Sequence, residues 1–184
     1  IQVTGSYNSA GVTKTATTTI FVHGVAARWT RTAVIPGGDV GAMAYSPDGQ
    51  QLAVGYSSGA VGLYQVGLTP TQYTLNGVLA AHQRPVSALF WRSNTQLVTL
   101  GRDGRLCQWV FNPATTAFNL SAEYQHDAVF TAAGLTSGLL VLGDNLGAVT
   151  LFDLDANQVT WTQVKHTGEV TTVAINASKI LCGG

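Results

Sequence analysis

Short apolar runs separated by turn residues recur along most of the chain. The runs are rich in Val, Leu and Ala and are bounded by Gly, Ser, Asn or Asp, a pattern that indicates β-strands and not helices. The stretch 82–109 contains three such runs, and the tight turn Asp103-Gly104 separates the last two. Three strands joined by short turns predict an antiparallel meander.

The turn and the third run recur in the same register at three places. The stretches GYSSGAVGLYQ, LGRDGRLCQWV and GDNLGAVTLFD, at 55–65, 100–110 and 143–153, superpose without a gap. Apolar strands precede each stretch, and a further strand follows it. A period of about 40–45 residues with four short strands is typical of the blade of a β-propeller.

Two further positions recur in each repeat. The position four residues before each first strand is occupied, in order, by Pro36, His82, His126 and His166. The third strands end in the pairs Tyr64-Gln65, Trp109-Val110 and Phe152-Asp153. The first repeat also contains a turn of the sequence Ser46-Pro47-Asp48-Gly49. With these features the chain resembles the WD40 repeats of bacterial type, in which a histidine precedes the first strand and a Trp-Asp pair ends the third.

The resemblance implies an all-β fold, a propeller segment of about three and a half four-stranded blades. These blades are expected near 40–79, 86–125 and 129–165, with a truncated one at 170–184. The whole segment covers 28–184, because 28–35 is similar to the outer strand that completes the last blade of a closed WD40 ring. We expect the chain to be a portion of a longer polypeptide, because its last repeat stops inside the motif. Completion of open edges by a neighbouring copy is the alternative.

Residues 1–22 do not fit the repeat. Their Thr-rich alternation around a turn at 8–11 predicts a β-hairpin. This hairpin resembles the last two strands of a bacterial immunoglobulin-like or PKD-type module, and a plain hairpin packed on the propeller rim is the alternative. Residues 23–27 are predicted to be a connector.

The composition of the chain narrows the range of possible binding partners. Charged residues make up only 10% of the chain and the formal net charge is zero, so no electrostatic attraction to nucleic acid or to an anionic membrane is expected. No apolar run approaches the roughly 20 residues that span a bilayer. Low charge and abundant Thr are typical of extracellular or cell-surface β proteins, although a cytoplasmic location fits the composition too. The two cysteines lie in different repeats and are predicted to be buried apolar residues without a disulfide.

Four residues of the second repeat carry the main candidate site. The resemblance implies that His82, Thr99, Asp103 and Trp109 form a structural tetrad, a hydrogen-bonded chain from the carboxylate through the imidazole and hydroxyl to the indole. A histidine beside a hydroxyl and a carboxylate also has the ingredients of a catalytic triad. The structural role is favoured, because the other repeats replace tetrad members with apolar residues such as Val54 and Leu142.

No metal, cofactor or catalytic residue is predicted, because the sequence has no clustered Cys and His ligands and no phosphate-binding glycine motif. The predicted function is a non-enzymatic scaffold that binds protein partners through loops on one propeller face or through exposed strand edges. The candidate loop residues are Asp39, Tyr56, Arg84, Arg102, Asp127, Asp144 and Glu169. A structural subunit of an extracellular or cell-surface assembly is the alternative, and a non-catalytic part of an enzyme is the third interpretation.

Overall fold

A computed structural model describes residues 2–9, 12–19, 38–68, 72–176 and 178–184 of the chain, with side chains in the last three ranges. Two units make up the chain, Ile1–Val34 and Ile35–Gly184. In the first unit, strands β1 (Gln2–Ser9) and β2 (Val12–Thr19) pair antiparallel, which is the hairpin predicted from the Thr-rich alternation. The predicted connector at 23–27, the strand at 28–35 and Pro36 lie outside the described residues.

The second unit contains strands only, within its described residues. Blade 1 consists of β3 (Val40–Tyr45), β4 (Gln51–Tyr56), β5 (Val61–Val66) and β6 (Tyr73–Leu79). Blade 2 consists of β7 (Val86–Ser93), β8 (Gln96–Gly101), β9 (Arg105–Asn112) and β10 (Ala117–Gln125). Blade 3 consists of β11 (Phe130–Thr136), β12 (Leu139–Asp144), β13 (Ala148–Asp153) and β14 (Gln158–Val164). Blade 4 has the two strands β15 (Thr172–Ile175) and β16 (Ile180–Gly183). The predicted all-β propeller segment is therefore confirmed.

Each complete blade is an antiparallel sheet in which neighbours along the chain are neighbours in space. The second strands form the centre of the core, and Val54, Val98 and Val141 on them are completely buried. These strands are apolar on both faces because other blades or loops cover both sides. The first strand of one blade packs on the first two strands of the preceding blade, as β7 does on β3 and β4.

A glycine after each second strand fixes the start of the next blade. Gly59, Gly104 and Gly147 all have positive φ angles, of 88°, 74° and 88°. A Cβ on Gly59 would lie 2.1 Å from the His82 carbonyl oxygen, so no other residue fits there. The His82 amide donates to the Gly59 carbonyl at 3.0 Å. The corresponding bonds of blades 2 and 3 join His126 to Gly104 and His166 to Gly147, so the turn of one blade positions the histidine of the next.

Candidate interaction surface

The structure brings the four predicted tetrad residues together beneath the loops of blade 2. His82 Nδ1 lies 3.1 Å from Asp103 Oδ1, and His82 Nε2 lies 2.8 Å from Thr99 Oγ1. The Trp109 indole N–H donates to Thr99 Oγ1 at 3.1 Å. Thr99 on β8 is completely buried and His82 is 7% exposed. The four side chains therefore form one continuous chain of hydrogen bonds inside the blade.

The hydrogen-bond partners of His82 determine which of its ring nitrogens carries the proton. The carboxylate of Asp103 accepts hydrogen bonds, so His82 carries its proton on Nδ1 and donates to it. Burial lowers the pKa of His82, and the attraction and hydrogen bond of Asp103 oppose that shift only in part. A neutral imidazole with its proton on Nδ1 has a lone pair on Nε2, which accepts from the Thr99 hydroxyl. The Thr99 oxygen can still accept from Trp109, so each group is satisfied.

Asp103 also holds the turn and the loop around it. Its carboxylate accepts from the backbone amide of Gln83 at 2.9 Å and from that of Arg105 at 3.1 Å. Burial raises the pKa of Asp103, but these two amide bonds and the contact with His82 outweigh it and leave that pKa below its usual value. One carboxylate therefore fixes the entry loop of blade 2, the turn after its second strand and the buried histidine together.

Blade 3 reaches a similar arrangement with a carboxylate from another position. His126 Nε2 lies 3.1 Å from Asp144 Oδ2, and Asp144 Oδ1 accepts from the amides of Leu146 and Ala148, both at 2.9 Å. Asp144 is only 4% exposed. It stands two positions before Leu146, which occupies the place of Asp103 in this repeat. The sequence analysis missed the pair of His126 and Asp144. A carboxylate at the turn after the second strand, in a repeat that begins with a histidine, could have indicated it.

Blade 1 places two tyrosines at the corresponding site. The Tyr56 and Tyr64 hydroxyls form a hydrogen bond of 2.6 Å, and both residues are 6% exposed. Burial, followed by the bond to Tyr64, raises the pKa of Tyr56. Tyr56 and Asp144, both predicted as loop contacts, thus point into their blades. Neither side chain is accessible to a partner, so these two residues do not belong to the contact surface.

In blade 4, Cys182 takes the position of Thr99, and its Sγ lies 3.3 Å from His166 Nε2. Cys182 is exposed, whereas Cys107 is buried. The prediction that both cysteines are buried was therefore wrong for Cys182, which lies on β16, where no further described strand covers it. Burial raises the pKa of the Cys107 thiol to about 11.

The other predicted loop residues are exposed on one side of the array, here called the loop face. It comprises the entry loops of the blades and the turns after their second strands, with the exposed residues Asp39, Arg84, Arg102, Asp127, Leu146 and Glu169. Backbone bonds join the entry loop to the turn in each blade: Ser57 donates to Asp39 and Arg102 to Pro85, at 2.8 and 2.9 Å. The loops are thereby held in place while their side chains extend outwards.

The charges on the loop face are arranged by blade. Blade 2 presents Arg84 and Arg102, and blades 1, 3 and 4 present Asp39, Asp127 and Glu169. Within the described residues, neither arginine has a side-chain hydrogen bond or an ion pair. Leu146, at the tip of the blade 3 turn, is 66% exposed. Sequence reasoning missed Leu146 as a residue of the loop face. The available signal was a leucine directly before the turn glycine, at the position where blade 2 has aspartate.

In the described part of the chain, no group of three or more His, Cys, Asp and Glu side chains could hold a metal ion. The same residues include no helix with the length and apolar character needed to cross a membrane.

Comparison with known proteins supports the propeller assignment. No protein-family model matches the chain. Echinoderm microtubule-associated protein-like 1 of Rattus norvegicus and that of Homo sapiens are each 31% identical over 102 residues, which is 55% of this chain. The chain spans only 12% of the length of these relatives.

Solved structures show the same fold. The computationally designed Ika4 protein superposes with a TM-score of 0.70 at 19% identity, over 85% of this chain and 92% of Ika4. The designed Ika8 protein gives the same TM-score and identity over 83% of this chain and 45% of Ika8. A chain of a mitotic checkpoint complex matches with a TM-score of 0.66 at 25% identity, over 79% of this chain and 44% of that chain. The repeats, the blades and these similarities together identify a WD40-like propeller.

Proposed function

We propose that the chain is a non-enzymatic scaffold that binds protein partners through the loop face. One observation carries the proposal: buried polar contacts fix the loops from beneath, and the charged tips above them extend into solvent. Asp103 ties both loops of blade 2 to the tetrad. A rigid support with exposed variable tips is the usual arrangement of a binding surface. The site thus favours recognition by shape and charge.

The charge arrangement specifies the kind of partner. Arg84 and Arg102 lie together on blade 2, because the Arg102 amide bonds to the carbonyl of Pro85. The acidic residues lie on the other blades, of which blades 1 and 3 are the direct neighbours of blade 2. Arginine is a frequent anchor in protein interfaces, and opposite charges orient a partner as it approaches. The preferred ligand is a segment with an acidic residue at its centre and an apolar residue that reaches Leu146.

The names of the similar proteins agree with this role. One denotes association with microtubules and the other membership of a multiprotein complex. Both support protein partners for this chain without specifying which. We further propose that the propeller belongs to a larger multidomain protein, in which the hairpin of the first unit ends an immunoglobulin-like module. The low charge and Thr-rich hairpin support an extracellular or cell-surface assembly as its setting.

A non-enzymatic role is supported by the burial of the only triad-like set noted in the sequence. The Thr99 hydroxyl is completely buried and is occupied by His82 and Trp109. A nucleophile must reach its substrate, and this hydroxyl has no path to one. The tetrad therefore serves as a support for the loops.

Selection of peptides from a random library displayed on phage tests the proposal. Peptides selected on the wild-type chain are expected to contain acidic residues and to bind Arg102→Glu at least about tenfold more weakly, since an interface anchor contributes more than about 1.4 kcal/mol. Lys179→Glu is the matched control, because Lys179 is exposed in the turn between β15 and β16, at the opposite end of the blade. Selected peptides that bind Arg84→Glu and Arg102→Glu as well as wild type would contradict the proposal.

A further inference from the structure

The outer strand of each complete blade contains one extra residue, which forms a bulge. In β6 this residue is Asn76, because the residues on either side of it pair with two adjacent residues of β5. The extra residues of β10 and β14 are Ser121 and Thr160. A bulge of this kind leaves the extra residue without a partner on the neighbouring strand. The three bulges stand at equivalent positions of the repeat, so their residues can be compared directly.

In blades 2 and 3 a hydroxyl group ties the bulge to the neighbouring strand. Ser121 Oγ donates to the Gln108 carbonyl at 3.0 Å, and Thr160 Oγ1 donates to the Leu151 carbonyl at 3.1 Å. In blade 1 the corresponding residue is Asn76, whose carboxamide makes no hydrogen bond within the described residues. Asn76 is also exposed. No hydrogen bond therefore holds its side chain away from its own backbone.

Gly77 follows Asn76 directly, and no other Asn-Gly pair occurs in the sequence. A Cβ placed on Gly77 would meet no atom within 4 Å. Because glycine has no side chain to shield its backbone nitrogen, this nitrogen can approach the Asn76 side chain closely. Gly77 pairs with Leu63 in the sheet, but β6 is the outermost strand of blade 1. A strand at the edge of a sheet opens locally far more often than the whole domain unfolds.

We propose that Asn76 is a site of spontaneous covalent modification. When β6 opens locally, the Gly77 backbone nitrogen attacks Cγ of Asn76 and forms a new C–N bond. The bond from Cγ to the side-chain nitrogen breaks, and that nitrogen leaves as ammonia together with the proton of the Gly77 amide. A five-membered succinimide ring remains. Water then opens the ring at one of its two carbonyls and leaves aspartate or isoaspartate at position 76.

The two Asp-Gly pairs of the described chain could form the same ring with loss of water, but both are held away from it. The Asp48 carboxylate accepts from the Ser46 hydroxyl at 2.6 Å and from the Gln50 amide at 3.0 Å. The Gly49 amide donates to the Ser46 carbonyl at 2.8 Å. Asp103 is fixed by the tetrad and by two backbone amides. An ionised carboxylate is also a poorer electrophile than a carboxamide, so the reaction is directed to Asn76.

The modification changes the surface at the junction of blades 1 and 2. Asn76 and Gly77 line a groove of about 150 Å³ there, together with Phe111 and Phe118. Aspartate places a negative charge beside these apolar side chains, in a chain whose formal net charge is zero. Isoaspartate also routes the backbone through the former side chain and adds one carbon to β6, which disturbs the pairing of this strand. The product thus differs from the original chain in charge and in shape at one defined place.

Peptide mapping by mass spectrometry tests the proposal on the folded full chain. During incubation in mildly alkaline buffer, the peptide that contains Asn76 is expected to gain one dalton, and an isoaspartate-specific methyltransferase is expected to methylate it. Mildly acidic buffer should slow the reaction, because the attacking nitrogen must lose its proton. Asn119 is the internal control. It is exposed on the outer strand of blade 2, but Leu120 follows it and shields the backbone nitrogen, so its peptide is expected to keep its mass.

Two variants test the role of the glycine, and melting temperatures show that both are folded. Gly77→Val fills open space and shields the nitrogen with a branched side chain, so the product is expected to disappear. Gly168→Val is the matched control, because a Cβ on Gly168 also meets open space, and it is expected to form the product as wild type does. Equal modification of Asn76 and Asn119, or of wild type and Gly77→Val, would overturn the proposal. A folded chain that stays unmodified while the same chain in urea reacts would also overturn it, since the strand would then protect Asn76.

Discussion

Blades 1 and 2 fill the same buried position with different chemistry. Blade 2 joins four side chains from Asp103 to Trp109, whereas blade 1 has the single hydroxyl pair of Tyr56 and Tyr64. Both arrangements satisfy their buried polar groups, because no buried side-chain nitrogen or oxygen in the described residues lacks a hydrogen-bond partner. The blade thus requires satisfied polar groups or close packing at this position and no particular set of residues.

Blade 3 extends the comparison. Asp144 approaches His126 from a position two residues earlier in the turn than Leu146. It accepts from two turn amides, whereas Asp103 accepts from one turn amide and one amide of the entry loop. The apolar Phe152 takes the place of Trp109 and is completely buried. A carboxylate between the histidine and the turn is therefore shared by blades 2 and 3, while the hydroxyl and the indole are particular to blade 2.

Removal of either carboxylate is expected to have the largest effect. Asp103→Ala and Asp144→Ala each leave a histidine and two backbone amides without their hydrogen-bond acceptor. Each is therefore expected to lower the free energy of unfolding by about 2–3 kcal/mol. Urea denaturation followed by tryptophan fluorescence measures this change. Ser58→Ala and Leu146→Ala change the same turn position in blades 1 and 3 and are expected to stay within about 0.5 kcal/mol of wild type. Equal losses in all four variants would remove the distinction between the blades.

The sequence predicts the blades better than it predicts the site. Short apolar runs at a constant period determine strands and their order, because each strand must bury its side chains against the next. The tetrad residues could be assigned from the resemblance to WD40 repeats, which implies a strand or turn position for each of them. The inward direction of Tyr56 and Asp144 could not, because both lie where a strand enters a turn. At such a position the backbone, and not the alternation of residues, decides which side chain points inwards.

Acid is expected to destabilise blade 2 specifically. Burial holds the pKa of His82 below 6.5, so below pH 6.5 the unfolded chain binds a proton that the folded chain does not. Stability is therefore complete above pH 6.5 and falls as the pH drops from there towards the folded pKa, by up to about 1.4 kcal/mol per pH unit. Urea midpoints over this range measure the slope, and His82→Gln is expected to reduce it. The pKa of Asp103 lies below 3.8, so its contribution is lost only in more acidic solution. An unchanged slope in His82→Gln would show that another group titrates.

The tyrosine pair of blade 1 is expected to contribute less than the carboxylates. Tyr56→Phe removes one neutral hydrogen bond in a buried setting and is expected to cost about 1 kcal/mol. The double variant with Tyr64→Phe is expected to cost less than the sum of the single changes, because both remove the same bond. Thermal unfolding of the three variants measures this coupling. Blade 1 provides its own control: Tyr45 and Tyr73 form a hydroxyl bond of 2.8 Å at an exposed site, where Tyr45→Phe should have little effect.

The smallest effect is expected at the ion pair between blades 2 and 3. Arg92 on β7 bonds to Asp155 at 2.6 Å, and the side chain of Asp155 is 76% exposed. Water and dissolved ions screen such a pair, so Asp155→Asn is expected to cost less than about 1 kcal/mol. Added salt should abolish that cost, because screening acts on exposed charges. The His82–Asp103 contact, with side-chain exposures of 0% and 10%, is shielded from salt, so the loss in Asp103→Ala should persist. Denaturation of both variants at low and high salt measures these losses of unfolding free energy. A salt-sensitive loss in Asp103→Ala would mean that the Asp103 carboxylate acts as a surface charge and not as part of the buried network.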